Sequence, residues 1–178
     1  MSEGRVIWIT GLSGSGKTTL AVELVKELRL TGHPVIFFDG DELRGVLGTA
    51  EYSTANHGRE VRLALAMKYA RLCKLVASQG FVVIIATISM FSEIYSWNRG
   101  NLPGYFEVYL NAQPDELRKL DPKGIYKRFD AGVINSVAGL DLSIDEPVEP
   151  DIRLDFKSRA DPKLTALLIK KRLLHKEL

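Results

Sequence analysis

Residues 11–18 read GLSGSGKT, a glycine-rich run closed by a lysine and a hydroxyl residue. Gly11, Gly14 and Gly16 have no side chain to obstruct an anion. The backbone N–H groups around Ser13, Gly14, Ser15 and Gly16 can therefore turn inward onto phosphate oxygens. Lys17 adds a positive charge for the β- and γ-phosphates, and the Thr18 hydroxyl suits Mg2+. Thr18 and Thr19 open a helical pattern, whose N-terminal dipole favours the same anion. A glycine-rich turn that binds nothing is the alternative. The β-rich run RVIWIT before the loop and the helix after it favour the phosphate loop. Such a loop implies a nucleoside triphosphate. No guanine-reading NKxD run is present, so the reading is ATP.

Residues 37–45 read FFDGDELRG. Two acids at the end of an apolar strand repel each other and lose solvation, so something must compensate them. In an open α/β sheet, ligands gather at the C-terminal strand ends, which sets Asp39 and Asp41 beside the phosphate loop. One carboxylate there can organise Mg2+, and another can orient the attacking hydroxyl or take its proton. We assign Lys17, Asp39 and Asp41 to catalysis, Thr18 and Asp39 to the metal, and Asp39 first as base. Arg44 can grip an anionic group of the acceptor. Capping of the helix ELRGVL by either aspartate is the structural alternative, and it leaves the other aspartate available.

The elements that must hold these groups follow from the pattern. Strand-like apolar runs lie at 5–10, 34–39, 81–87, 105–111 and 152–156, separated by helical stretches at 59–79, from 113, and from 162. Alternation of strand and helix predicts an α/β fold, a three-layer nucleotide-kinase architecture on a mostly parallel five-stranded sheet. Residues 121–151 are turn-rich and weakly periodic, and 121–141 are expected to form a lid on a single domain of residues 1–178.

The totals exclude other classes. A net charge of +2 makes no case for nucleic-acid or membrane binding by bulk field. The longest apolar run, FVVIIATI, is too short to span a bilayer. The single cysteine, Cys73, allows no internal disulfide and falls on a small-residue helix face, so we read it as core. These features, with no signal segment, point to a cytoplasmic protein.

GLSGSGKTTLA, DGDELR, GFVVIIATIS, DPKGIYKR and AGLD occur in the order found in adenylylsulfate kinases, over about residues 7–152, most of the chain. The phosphate loop alone would be unspecific; DGD-x-x-R together with DPKG-[IL]-Y makes the resemblance specific. It implies transfer of the ATP γ-phosphoryl to a 3′-hydroxyl of adenylylsulfate with Mg2+, in a homodimer. It also implies acceptor contacts from Asp41, Arg44, Arg62, Ile88 and Ser89, with Lys123 in a mobile lid. Arg59 competes with Arg62 under a shifted alignment. The chain departs from the family on the acceptor side. The family's FISPFRxDR stretch is TISMFSEIYSW here, and the aromatic that stacks on adenine is Val137. Tyr52 is the residue available to replace the other stacking aromatic. Loss of a stacking platform removes roughly 1–3 kcal/mol of base binding. The alternatives are therefore adenylylsulfate, another nucleotide such as the cytidine diphosphoramidate used by a branch of the family, or an ATP-binding sensor without turnover.

Overall fold

The computed structural model describes residues 4–47 and 58–175. Tyr52 lies outside them. The sheet has five strands, β1 (Arg5–Gly11), β2 (Val35–Asp39), β3 (Val82–Ala86), β4 (Phe106–Asn111) and β5 (Ile152–Asp155). Their order is β2-β3-β1-β4-β5, and every pairing is parallel. The helices among the described residues are α1 (Lys17–Arg29), α2 (Gly40–Leu47), α3 (Arg59–Ala77), α4 (Ser92–Asn101), α5 (Pro114–Leu120), α6 (Ile125–Asp130) and α7 (Pro162–His175).

Both sheet faces are covered, which explains the unbroken apolar runs. Ile7 and Ile9 of β1 point into a core with α1 and α7, through Leu20, Leu24, Leu28 and Ile169. Val6 and Trp8 point the opposite way, into a core with α3 and α4 that includes Tyr69, Cys73 and Ile94. Cys73 is buried, as its helix face predicts. Each large aliphatic side chain fully buried in this way stabilises the fold by roughly 1.5–3 kcal/mol.

Two elements differ from the sequence reading. Residues 92–101 form α4, which the polar run SEIYSWNRGN did not announce; only Ile94 and Asn98 of it are fully buried. The stretch 121–151 contains α6, a helix of 6 residues too short to give a periodic signal. The remaining element boundaries fall within a few residues of expectation, as frayed ends allow.

Chain order places the crevice. From β1 the chain passes to β2 and returns through β3 on one side, then crosses to β4 and β5 on the other. The strand order thus reverses next to β1, and a ligand crevice opens at the C-terminal ends on that line. The phosphate loop, Asp39 and Thr87 all stand there.

Candidate active site

The phosphate loop owes its shape to glycine. Gly14 and Gly16 have φ of 77° and 90°, the left-handed region that side chains disfavour. A Cβ on Gly11 would meet the Leu110 carbonyl oxygen at 2.6 Å, so the loop leaves β1 where only glycine fits. The α1 N-terminus has no side-chain cap and no acid in its first turn, leaving its N–H groups and dipole free for an anion. Ser15 is fully buried, and its Oγ has no hydrogen-bond partner among the described residues. Lys17 donates from Nζ to the Leu12 carbonyl at 2.8 Å. The residue as a whole is half-buried, but enclosure of its ammonium lowers its pKa to about 8, against the opposing pull of Asp41 and Asp39.

The Asp39 carboxylate joins this loop to α2. Its Oδ2 accepts the Thr18 hydroxyl at 2.7 Å, and its Oδ1 accepts the Asp41 N–H at 2.8 Å. Asp39 thus caps α2 and faces the loop at once, so the structural and functional readings are compatible. Asp41 is exposed. Lys123 Nζ lies 2.5 Å from its Oδ2, and Arg44 Nη2 lies 3.9 Å from its Oδ1. Partial burial pushes the Asp41 carboxyl up, but the Lys123 hydrogen bond and the charges of Lys123, Arg44 and Lys17 outweigh it and leave it below the usual range.

A cavity of about 670 Å³ opens between these groups and residues 122–138. Ser13, Gly14, Gly16, Lys17, Thr18 and Thr19 form one wall, with Asp39, Asp41 and Arg44 beside them. Arg62, Leu65, Thr87, Ile88, Ser89 and Val137 form the opposite part. Such a volume suits small-molecule ligands. Ser89 is buried, strained at φ 28°, and paired with the Thr87 hydroxyl at 2.8 Å. Burial and the nearby Arg44 charge lower the pKa of Arg62, with Asp141 opposing them.

Gly11 and Ser15 belong to the loop but do not line the cavity. Nor does Arg59, which is held by Glu93 at 2.8 Å and Asp145 at 2.7 Å. Of the two arginines that sequence left open, Arg62 is the one at the cavity. Tyr95 and Trp97 of α4 pack against the core clusters and do not line the cavity. Two further arginines stand at the site without having been anticipated. Arg128 lines the cavity from α6. Arg159 stacks on Phe156 at 5.3 Å and donates to the Ser15 carbonyl at 2.7 Å. Arg128 lies in the quoted DPKGIYKR run and could have been singled out, whereas nothing in DFKSRAD points to a residue 144 positions earlier.

A phosphate loop at the reversal point of a parallel sheet, with two carboxylates beside it on one cavity, defines a P-loop kinase. Residues 3–155 match the adenylylsulphate kinase family profile, and the chain belongs to that family. It is 40% identical to the cytidine diphosphoramidate kinase of Campylobacter jejuni, over 94% of this chain and 95% of that one. It is 34% identical to a probable adenylyl-sulfate kinase of Pyrococcus abyssi, over 95% of both. A solved structure of the Mycobacterium tuberculosis APS kinase in complex with AMPPNP and APS superposes with a TM-score of 0.85 at 27% identity, covering 98% of this chain and 99% of that one. The chain is accordingly an ATP-dependent nucleotide kinase, and no helix among the described residues is long and apolar enough to cross a membrane.

Proposed function

We propose that this kinase transfers the ATP γ-phosphoryl group to the ribose 3′-hydroxyl of a small nucleotide, with cytidine diphosphoramidate as acceptor. The observation that carries the choice is Val137, a buried aliphatic residue in the acceptor wall where the family's adenine-stacking aromatic is expected. A smaller pyrimidine tolerates that exchange better than adenine does. The 40% identity to a cytidine diphosphoramidate kinase supports the same reading. Adenylylsulfate is the second reading, favoured by the family match.

The reaction breaks the bond between the γ-phosphorus and its bridging oxygen to the β-phosphate. A new bond forms to O3′, and the hydroxyl proton leaves to a base. We assign Asp39 as that base because its carboxylate stands against the phosphate loop at Thr18, whereas Asp41 is engaged by Lys123 and Arg44. Asp41 orients the acceptor hydroxyl, while Arg44 and Arg62 hold the acceptor's anionic groups. Lys17 and the loop N–H groups spread the charge of the moving phosphoryl group. Among the described residues no cluster of three or more His, Cys, Asp or Glu side chains could hold an ion alone. Thr18 and Asp39 instead offer the few oxygens that suit Mg2+ shared with phosphates. When bound there, Mg2+ neutralises phosphate charge and orients the transferred group. Residues 121–141 act as a lid that excludes water, with Lys123 and Arg128 on its inner side. Family resemblance further suggests a homodimer, which light scattering of the purified protein checks.

The test is ADP release with an acceptor panel, with 31P NMR locating the new phosphate. Higher kcat/KM with cytidine diphosphoramidate supports the assignment. Turnover with adenylylsulfate alone sinks the altered acceptor. Tight ATP binding without turnover of any acceptor would make the protein a sensor.

A further inference from the structure

We propose that Asp141 is a positioning residue for acceptor selection, holding the backbone of residues 136–137 so that Val137 forms the wall against the acceptor base. This inference rests on the nucleotide-acceptor reading above and adds to it how the base pocket is built. The Asp141 carboxylate accepts two consecutive N–H groups, from Ser136 on Oδ2 at 2.7 Å and from Val137 on Oδ1 at 2.6 Å. Ser136 has φ 61°, a left-handed conformation that serine adopts only when its surroundings impose it. Beyond the clamp, Leu140 and Leu142 N–H groups both return to the Val137 carbonyl, at 3.1 and 3.2 Å, closing residues 137–142 into a tight turn.

Two ends of this turn touch different parts of the site. Gly139, with φ 82°, sits so close to the phosphate loop that a Cβ there would meet Leu12 Cδ2 at 2.8 Å. Ser136 and Val137 line the cavity on the acceptor side, together with Ile134 and Asn135. Asp141 itself does not line the cavity. Its charge also acts on Arg62, which does. One carboxylate thus joins the base wall to the arginine that would hold the acceptor's anionic part. A sequence change at position 137 would select the base only if the backbone that carries it is fixed, and Asp141 supplies that constraint.

Asparagine at 141 keeps one acceptor oxygen and loses both the second acceptor and the charge. Steady-state kinetics of the wild type and Asp141→Asn with cytidine diphosphoramidate and with adenylylsulfate test the proposal. We expect the acceptor KM to rise about tenfold, the ATP KM to change less than twofold, and the kcat/KM ratio between the two acceptors to move toward one. A proportional rise in both the ATP and acceptor KM would overturn the proposal, because Asp141 would then act through Leu12 on the phosphate loop. So would an unchanged acceptor ratio. If Asp141→Asn fails to fold by circular dichroism, Val137→Ala keeps the clamp and alters the wall, and an unchanged acceptor ratio in that variant also overturns the proposal. Wild-type turnover is scored separately: failure with both acceptors defeats the nucleotide-acceptor reading, whereas failure of the variants alone defeats only the role of Asp141.

Discussion

At the scale of single residues, Asp39 and Lys17 make the sharpest predictions. Asp39 touches the Thr18 hydroxyl and the Asp41 N–H, so asparagine preserves shape while removing charge and basicity. Asp39→Asn should lower kcat by about 10²-fold or more, with the dissociation constant of an ATP analogue changing only a few-fold. Near-normal kcat would remove Asp39 from the base role. Lys17 has a pKa lowered by burial to about 8 in the free protein, below its ordinary 10.5. Between these values the unfolded chain binds more protons than the folded one, so this group's contribution to stability rises with pH across that window and is least favourable below it. Bound phosphate charge would raise the Lys17 pKa again. Nucleotide binding at a pH near 8 should therefore take up as much as about half a proton, and almost none near pH 6. Calorimetric titration in buffers of differing ionisation enthalpy measures this. Equal uptake at both pH values would exclude Lys17 as its source.

At the scale of elements, residues 121–141 connect to the phosphate loop through few, nameable contacts. Tyr126 donates its hydroxyl to the Ser13 carbonyl at 3.0 Å, and Lys123 reaches Asp41 across 82 positions of sequence. The Lys123–Asp41 pair is exposed on both sides, so it adds little to stability, on the order of 0–1 kcal/mol. Under the proposed function its value lies in holding residues 121–141 over the site. Lys123→Met should leave the melting temperature within about 2 °C while lowering kcat/KM for the acceptor about tenfold or more. A large loss of stability with unchanged kinetics would make the pair structural. The turn at residues 137–142 behaves differently, because it is buttressed against Leu12. Gly139→Ala combines a disfavoured φ with a contact at 2.8 Å and should cost about 1–3 kcal/mol in denaturant unfolding.

At the scale of the whole molecule, the sheet carries a charged group in its interior that the chemistry does not use. Glu107 on β4 is 2% exposed and pairs with Arg99 at 2.8 Å. Burial raises its pKa to about 7 despite the attraction of Arg99. The folded state then holds a proton that the unfolded state has already lost, across the interval between the ordinary glutamate value and about 7. The contribution of Glu107 is therefore fully present in acid and is lost as pH rises through about 7. Urea unfolding from pH 5 to 8 should show stability declining by roughly 1–3 kcal/mol, and Glu107→Gln should flatten that slope. An identical slope in the variant would place the titration elsewhere.

The sequence by itself determined the fold class, the phosphate loop and the carboxylate pair, because each depends on neighbours a few residues apart. Apolar runs declare strands by composition, and GLSGSGKT declares its loop by the absence of side chains where anions approach. Family resemblance also drew attention to Val137, which the structure brings to the cavity. Only the tertiary structure separated Arg62 from Arg59, since both begin the same helix and differ by which side of it faces the cavity. It alone brought Arg159 to Ser15 and Lys123 to Asp41, contacts made by chain crossings that leave no local pattern. The helix α4 was illegible for a related reason: its two buried residues, Ile94 and Asn98, are too few to mark a face. Local chemistry can be read along the chain, whereas the company each charge keeps is set by the packing of distant elements.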